Sequence, residues 1–415
     1  MITVIGLGFV GLTTALGFAD KGFKVFGLDN DRNRFKSLSK NQVPFFEPNL
    51  ESKLIEHSDK KSFELSNNLN YSIKESNVIF VCVGTPQSEN GSVSLDYLFV
   101  ALRDILENIN DNQERVVVIK STVPPSTCNK VIQPFIKENN VNNSFISIAS
   151  NPEFLREGFA WNDFLYPDRI VIGASDEFAK NILNNIYKPF NVPIHFSNTS
   201  TAEFIKYLSN TLLSNLISYS NEMSMIAHTI GSIDIKYAFN VLHQDKRWSG
   251  MPANMSSYAY PGCGYGGYCL PKDTEALIFK ANEGGYKAKL LREVQNVNFE
   301  IKTFVALQIM NICKPSDVIG ILGLSFKPNS DDVRDAPAAS IIKILNDSGF
   351  NNVIAHDPLA IDEFKGAYPR LSINYQNKAS DVLDLSTIAV ILTGWDEYKI
   401  YSKEKDKILD FRYIL

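Results

Sequence analysis

The pattern that most clearly suggests covalent chemistry surrounds Cys269. Residues 262–273 read Gly-Cys-Gly-Tyr-Gly-Gly-Tyr-Cys-Leu-Pro-Lys-Asp. Glycines adopt backbone conformations that other residues avoid, so such a segment can approach a ligand closely. Lys272 and Asp273 follow within one turn, and a neighbouring cation favours the reactive thiolate. The pattern therefore predicts a loop that presents Cys269 as a nucleophile, with Cys263 as an alternative that precedes the glycine run and lacks a partner motif.

A second pattern, at the N-terminus, predicts a dinucleotide site. The apolar residues 2–5 lead into glycines with the spacing of a pyrophosphate-binding turn, namely Gly6, Gly8 and Gly11. A helical stretch and a second apolar run follow, and Asp29 closes that run, where a carboxylate binds ribose hydroxyls and repels a 2′-phosphate. NAD is therefore favoured over NADP. Arg34 argues the other way, since an arginine can pair with a 2′-phosphate.

Composition limits the classes of function. The chain has 415 residues, 44% of them hydrophobic and 21% charged, which suits two or three globular domains. A net charge of −5 gives no attraction to nucleic acid, and no apolar run is long enough to span a membrane. The N-terminus does not resemble a signal peptide. Five scattered cysteines and five histidines form no disulfide framework and no metal-binding spacing, so we expect a cytoplasmic protein without a metal.

The elements that must position these motifs alternate between strand and helix over the first 195 residues. This order predicts a doubly wound α/β domain of Rossmann type with a parallel sheet. Ligands gather at the carboxyl ends of the strands in such sheets. Three polar motifs follow strands there, at residues 84–86, 121–124 and 151–157. They predict a cleft.

The remainder of the chain divides into a helical and a second α/β region. Apolar residues at helical spacing over 200–230 predict a long central helix, with Glu203, Lys206 and Asn210 on one face. From about residue 315, strand and helix patterns predict a smaller Rossmann-like domain. Lys327 and Arg334 follow its first strand and suit an anionic group, although a solvated surface explains them equally well.

Together these motifs resemble the UDP-glucose/GDP-mannose dehydrogenase family, most closely the branch that oxidises UDP-glucose. The resemblance covers essentially the whole chain and rests on the segments 6–11, 84–86, 121–124, 151–157, 203–210, 264–273 and 326–334. It implies an NAD-binding domain at 1–195, a central helical and dimerisation region with the cysteine loop at 196–312, and a UDP-sugar-binding domain at 313–415. Members are usually homodimers or larger, so we expect a homodimer with a UDP-sugar substrate.

The resemblance also implies a reaction. A sugar C6 alcohol is oxidised to a carboxylate with two NAD, and Cys269 holds the intermediate first as a thiohemiacetal and then as a thioester. Lys206 matches a lysine that stabilises oxyanions. Asp273 and Glu153 match carboxylates that position water and transfer protons. Two further matches, which orient the substrate oxygen and the bound water, are Asn210 and Thr122.

Binding residues follow from the same resemblance. The matches to NAD contacts are Gly6, Gly8, Phe9, Val10, Gly11, Asp29, Arg34, Thr85, Thr122, Glu157 and Arg334. The matches to nucleotide-sugar contacts are Glu153, Phe154, Leu155, Lys206, Asn210, Arg247, Tyr265, Gly266, Gly267, Lys327 and Arg412.

One stretch departs from the family pattern. The segment between Arg247 and the Cys269 loop is longer than the resemblance leads us to expect. Because it borders the expected sugar pocket, UDP-N-acetylmannosamine, UDP-N-acetylglucosamine and GDP-mannose remain alternative substrates. Two other classes also remain open. A two-electron 3-hydroxyacid dehydrogenase would not need Cys269, and a catalytically silent nucleotide-sugar-binding protein would release no NADH.

Overall fold

A computed structural model describes residues 1–109, 111–140, 142, 145–245, 260–283 and 287–415. The chain divides into two compact units, 1–208 and 209–415.

The first unit is built on an eight-stranded sheet. Its strands are β1 (Ile2–Ile5), β2 (Val25–Leu28), β3 (Phe63–Leu65), β4 (Val78–Val81), β5 (Arg115–Ile119), β6 (Ile146–Ser150), β7 (Ile170–Ala174) and β8 (Ile194–Ser197). Its helices are α1 (Phe9–Asp20), α2 (Arg32–Leu38), α3 (Leu50–Asp59), α4 (Leu69–Lys74), α5 (Asp96–Asn108), α6 (Gln133–Asn139), α7 (Ala160–Leu165) and α8 (Glu177–Tyr187). The spatial order of the strands is β3-β2-β1-β4-β5-β6-β7-β8.

Alternating residues of the central strands fill two apolar cores. In β4, Val78 and Phe80 face a core shared with α1, whereas Ile79 and Val81 face a core shared with α5. All residues of β4 and β5 are buried, because helices cover both faces of a parallel sheet. The predicted doubly wound fold is confirmed.

One strand pair departs from the parallel arrangement. β6 and β7 are antiparallel, with Ala149 opposite Ala174. Residues 151–169 return the chain at the same end of the sheet instead of crossing a face. Their helix α7 packs on α1, where the Phe164 ring occupies the space that a Cβ of Gly17 would need. This connection leaves the loop after β6, with its polar motif, at the carboxyl edge of the sheet.

A long helix, α9 (Thr199–Ile230), contains the boundary between the two units and confirms the predicted central helix. Asn198 caps the N-terminus of this helix, since its Oδ1 accepts a hydrogen bond from the Thr201 N–H at 2.8 Å.

In its described residues, the second unit combines six further helices with a five-stranded sheet. It contains α10 (Ile235–Leu242), α11 (Cys269–Glu283), α12 (Lys289–Ile312), β9 (Ile319–Leu322), α13 (Pro337–Asp347), β10 (Val353–His356), α14 (Ile361–Ala367), β11 (Asn374–Tyr375), α15 (Ala379–Leu385), β12 (Ile388–Ile391) and β13 (Ile408–Asp410). The sheet order is β11-β10-β9-β12-β13, and every pair is parallel. Ile319 and Ile321 face a core that α12 and α13 share. The predicted second, smaller α/β domain is confirmed.

Candidate active site

The turn between β1 and α1 has the shape that a pyrophosphate requires. Gly6 has a φ of 88°, and a Cβ at Gly11 would lie 1.7 Å from the Gly6 carbonyl oxygen. No atom of the described residues lies within 4 Å of the position that a Cβ at Gly8 would take. Gly8 begins α1 without a side-chain cap, so no side chain of the cap satisfies the N–H groups of the first turn. The turn fits a dinucleotide phosphate.

Asp29 links the end of β2 to this turn. Its carboxylate accepts hydrogen bonds from the N–H groups of Leu7, at 2.6 Å, and Asp31, at 2.8 Å. The Arg34 guanidinium lies 2.9 Å from the same carboxylate and 3.7 Å from the carboxylate of Asp31. Arg34 is therefore balanced by two acids and is not a ready partner for a 2′-phosphate. This arrangement favours NAD.

The loops after β4 and β5 are tied together. Thr85 Oγ1 donates to the carbonyl oxygen of Thr122 at 2.9 Å, and Ser121 Oγ donates to that of Val83 at 2.7 Å. Glu203 on α9 holds the turn that follows, since its carboxylate accepts from the Ser126 N–H at 2.6 Å and from the Cys128 N–H. The structure thus fixes the loop that carries Thr122.

Glu153 and Lys206 form a buried ion pair. Lys206 Nζ lies 2.8 Å from Glu153 Oε1, and both side chains are more than nine-tenths buried. Glu153 Oε2 also accepts from the Leu155 N–H at 2.6 Å. Burial raises the pKa of Glu153, but Lys206, the Leu155 N–H and Lys120 together hold that pKa below its usual value. Glu153 is therefore ionised near neutral pH, with the Lys206 ammonium and the Leu155 N–H as its partners.

Two neighbours of this pair were predicted to bind ligands. The Phe154 ring centroid lies 5.6 Å from Lys206 Nζ and 4.6 Å from the Arg169 guanidinium carbon. Glu157 lies half-buried further along the same loop.

In the second unit, Cys269 is the first residue of α11 and is exposed, whereas the four other cysteines are buried. The sequence predicted a loop at this position. The start of a helix is a better place for a nucleophile, because the helix dipole stabilises a thiolate there. Burial raises the pKa of the Cys263 thiol to about 12, which argues against the alternative nucleophile.

Three buried polar side chains lie beside this helix start. Lys272 Nζ lies 2.7 Å from Asp273 Oδ1, and Asn210 Nδ2 donates to Asp273 Oδ2. Burial alone lowers the pKa of Lys272, but Asp273, assisted by Cys269 and Tyr268, raises that pKa above its usual value. Lys272 therefore stays cationic within the electrostatic reach of Cys269.

The glycine-rich segment before Cys269 is clamped from two sides. Asn298 on α12 accepts from the Tyr265 N–H at 2.7 Å and donates to the Tyr265 carbonyl at 3.1 Å. The Gly267 N–H donates to the Arg334 carbonyl at 2.8 Å. A Cβ at Gly266 would lie 2.2 Å from the carbonyl oxygen of Asp335. The segment needs its glycines for this close approach.

Two predicted ligand cations flank this segment. The Arg334 guanidinium lies 4.7 Å from the Tyr268 ring centroid and forms an ion pair with Asp332 at 2.5 Å. Lys327 Nζ lies 5.4 Å from the Phe326 ring centroid.

Arg412 and Arg247 were the least certain matches to substrate contacts, and the structure describes only Arg412. A Cβ at Gly262 would lie 2.1 Å from Arg412 Nη1, so Arg412 packs directly on the glycine-rich segment. Arg247 lies outside the described residues.

The acid that follows β10 shows why the second domain differs from the first. Asp357 occupies the position that Asp29 has after β2, but six donors saturate its carboxylate. These donors are the N–H groups of Leu324, Ser325, Leu359 and Ala360, the Ser325 hydroxyl and the Trp395 indole. No lone pair is left over for a ribose, so this acid is structural.

Sequence reasoning missed some residues at these sites. Asn298 clamps the glycine-rich segment, and Lys120 and Tyr187 both donate to Asn151 beside Glu153. Lys120 could have been noticed because it ends a buried strand directly before the motif at 121–124. Asn298 sits on a helix without any local motif, so nothing in the sequence distinguishes it.

Among the described residues, no group of three or more His, Cys, Asp or Glu side chains could hold a metal ion. Within the same part of the chain, no helix has the length and apolar character needed to cross a membrane.

Comparisons with known proteins cover the whole chain. Three family models match: the NAD binding domain of the UDP-glucose/GDP-mannose dehydrogenase family at residues 1–191, its central domain at 200–300 and its UDP binding domain at 320–415. The UDP-glucose 6-dehydrogenase YwqF of Bacillus subtilis is 36% identical over 96% of this chain and 88% of its own length. The UDP-glucose 6-dehydrogenase of Rickettsia bellii is 35% identical over 100% and 95%.

Solved structures of UDP-sugar dehydrogenases are also similar to this chain over its full length. A UDP-glucose dehydrogenase from Pyrobaculum islandicum superposes with a TM-score of 0.92 at 33% identity, covering 100% of this chain and 94% of that one. A UDP-D-ManNAc dehydrogenase from Pyrococcus horikoshii has a TM-score of 0.83 at 27% identity, covering 100% and 96%.

Proposed function

This chain belongs to the UDP-glucose/GDP-mannose dehydrogenase family, and we propose that it oxidises the C6 hydroxyl of UDP-glucose to the carboxylate of UDP-glucuronate. The overall reaction consumes one water and two NAD and releases two NADH. The observation that carries the proposal is the position of Cys269, exposed at the start of α11 with the Lys272–Asp273 pair beside it. A two-electron dehydrogenase would not need a thiol so placed.

NAD, bound at the glycine turn of the first unit, supplies the hydride acceptor for both oxidation steps. Cys269 retains the substrate between those steps. Its thiolate adds to the C6 aldehyde to give a thiohemiacetal, and loss of the C6 hydride from that adduct gives a thioester. Water then hydrolyses the thioester, which releases the acid and returns the thiolate. Such a thiol must be reduced, in agreement with the expected cytoplasmic location.

In this proposal Lys206 stabilises negative charge on the substrate, and Glu153 transfers protons. The Lys206 ammonium is fixed by its ion pair with Glu153, so it can stabilise an oxyanion on C6 without further reorganisation. Glu153 is an ionised carboxylate, the form that accepts a proton from water or from a hydroxyl. The loop that carries Thr122 is held by Thr85 and Glu203, which suits a residue that orients a bound water.

Asp273 and Asn210 complete the proposed chemistry on the thiol side. Asp273 fixes Lys272, and Asn210 donates to the opposite oxygen of the same carboxylate. The amide of Asn210 is thereby held in one orientation, as a group that aligns a substrate oxygen must be.

We assign substrate binding to the clamped segment and to cations of the C-terminal part. The backbone of Tyr265, Gly266 and Gly267 would contact the nucleotide-sugar, and the pyrophosphate would meet Lys327 and Arg412. Arg247, Phe154 and Leu155 belong to the same proposal. The division into domains at 1–195, 196–312 and 313–415 remains a prediction, as do the NAD contacts of Glu157 and Arg334.

We also propose a homodimer that forms through α9. Phe204, Leu208 and Leu212 recur at four-residue spacing along this helix and are 44%, 54% and 49% exposed. We call these three residues the apolar stripe of α9, and exposed apolar residues at helical spacing mark an interaction surface.

The test is a panel of nucleotide-sugars incubated with NAD, in which NADH and sugar acid are both quantified. The panel contains UDP-glucose, UDP-N-acetylglucosamine, UDP-N-acetylmannosamine and GDP-mannose. We expect two NADH per acid with UDP-glucose as the best substrate. One NADH per product would indicate a two-electron dehydrogenase. Absence of turnover with every sugar would refute the proposal.

A further inference from the structure

Lys120 directly follows β5, is buried, and belongs to none of the functions assigned above. It is 4% exposed, and its Nζ donates to Asn151 Oδ1 at 3.0 Å. Within the described part of the chain, no carboxylate forms an ion pair with it. Burying an ammonium with a neutral amide as its partner is unfavourable, so packing alone does not explain a lysine here.

Asn151 is held rigidly in place for this contact. Its Oδ1 also accepts a hydrogen bond from the Tyr187 hydroxyl, and its Nδ2 donates to the Val171 carbonyl at 2.8 Å. The amide thus connects β5, β6, β7 and α8. Asn151, two residues before Glu153, is therefore a fixed anchor for Lys120.

The charged and titratable groups around Lys120 come from several elements. Lys120 interacts electrostatically with Cys82 after β4, Glu153 after β6 and Lys206 on α9. Burial raises the pKa of the Cys82 thiol to about 12, so this neighbour is uncharged near neutral pH. The Phe164 ring of α7 lies 6.0 Å from Lys120 Nζ. Among the described residues, the charged groups that interact with Lys120 are therefore one carboxylate and one ammonium.

We propose that Lys120 is a positioning residue that gives the Lys206–Glu153 pair a net positive charge and so favours the oxyanion formed on the substrate. The inference rests on the proposed function. An isolated Lys206–Glu153 pair is neutral and attracts an incoming anion only weakly. With Lys120 the three groups carry one excess positive charge, and the oxyanion neutralises it. In a buried environment that excess charge acts with little screening.

The structure also predicts the pH range of this effect. Burial lowers the pKa of Lys120 from 10.5 to about 8. Lys120 is charged below this pH and supports turnover there, and it becomes neutral above it. The advantage of the wild type over a variant without the charge is therefore largest below about pH 8 and declines at higher pH.

The experiment compares wild type, Lys120→Met and Tyr187→Phe. Lys120→Met removes the charge and keeps the chain length, whereas Tyr187→Phe removes the other hydrogen bond to Asn151 Oδ1 and keeps the charge. The readouts are kcat and KM for the nucleotide-sugar between pH 6.5 and 10, NAD affinity by fluorescence titration, and the melting temperature.

We expect Lys120→Met to lower kcat by about 10–100-fold at pH 7, with NAD affinity changed by less than about threefold. The ratio of the wild-type kcat to that of Lys120→Met should fall above pH 8. The melting temperature of this variant should equal or exceed that of the wild type, since an unfavourable buried charge is gone. We expect Tyr187→Phe to stay within about threefold of the wild-type kcat.

Three results would overturn the inference while leaving the proposed function in place. These are a wild-type kcat in Lys120→Met, a kcat ratio that does not change up to pH 10, or an equal loss in Tyr187→Phe. Absence of wild-type turnover on any nucleotide-sugar would refute the proposed function, and the inference with it.

Discussion

Lys272 and Asp273 are consecutive in the chain, yet their side chains form a buried ion pair with Nζ 2.7 Å from Oδ1 and exposures of 4% and 1%. Both lie in the first turn and a half of α11, three and four residues after Cys269. The pair places a fixed cation near the thiol and a fixed carboxylate against Asn210. The helix start therefore carries both the proposed nucleophile and the groups that surround it.

Replacing Asp273 should lower the stability of the fold. Asp273→Asn leaves Lys272 charged, buried and without its counter-ion, so we expect a loss of about 3 kcal/mol in the free energy of unfolding. Denaturant titration measures this change. Lys272→Met in the Asp273→Asn background should recover part of the stability, because the unpaired charge is then removed. A double variant no more stable than Asp273→Asn would show that the pair is not the cause.

Replacing Cys269 should abolish net oxidation without harming the fold. We expect Cys269→Ala to lower acid formation by at least about a thousandfold, since the covalent route is lost. Cys263→Ala is the matched control, because Cys263 lies in the same glycine-rich segment but is fully buried. It should keep kcat near the wild-type value. If Cys263→Ala lost kcat and Cys269→Ala kept it, the nucleophile would be Cys263 and the proposal would be wrong.

The glycine turn makes a separable prediction for NAD binding. A methyl group at Gly8 meets no atom of the described part of the chain within 4 Å but enters the space assigned to the pyrophosphate. Gly8→Ala should therefore weaken NAD binding by at least about tenfold at unchanged melting temperature. Gly11→Ala collides with the Gly6 carbonyl oxygen and should lower the melting temperature as well. Titration with NAD and thermal unfolding distinguish these outcomes, and normal NAD binding by Gly8→Ala would contradict the assignment.

Cofactor preference depends on Asp29. In the Asp29→Ala variant the Arg34 guanidinium loses its 2.9 Å partner and can pair with a 2′-phosphate. We expect the ratio of kcat/KM for NADP to that for NAD to rise by about tenfold or more. The double variant Asp29→Ala, Arg34→Ala should lose this gain. An unchanged preference in the single variant would show that Asp29 does not face the ribose.

The stripe on α9 predicts the oligomeric state. We expect the wild type to be a dimer by light scattering and Leu212→Asp to shift it toward monomer, because a carboxylate then lies in an apolar contact. Tyr97→Asp is the control, since Tyr97 is 57% exposed and lies on a different helix, α5. A monomeric wild type would refute the proposed interface.

Much of this arrangement could be predicted from local sequence. The glycine spacing, the run to Asp29 and the glycines before Cys269 are each determined by backbone geometry that few other residues permit, so they are visible without a structure. The antiparallel β6–β7 pair, the Asn298 clamp and the saturated Asp357 depend on contacts between segments far apart in sequence. Lys120 is an intermediate case, since its position at a strand end is local but its burial is tertiary. The glycines before Cys269 predicted a loop, and they could not show that Cys269 begins a helix.

The central claim is the covalent intermediate on Cys269, and mass analysis of the enzyme quenched with acid during steady-state turnover tests it most directly. After proteolysis, the peptide that contains Cys269 should carry the added mass of the oxidised nucleotide-sugar, and the addition should require both NAD and sugar. Fragmentation should place the addition on Cys269 and leave Cys263 unmodified. Turnover that yields two NADH per acid with no adduct at any time after mixing, or with an adduct on another residue, would contradict the account.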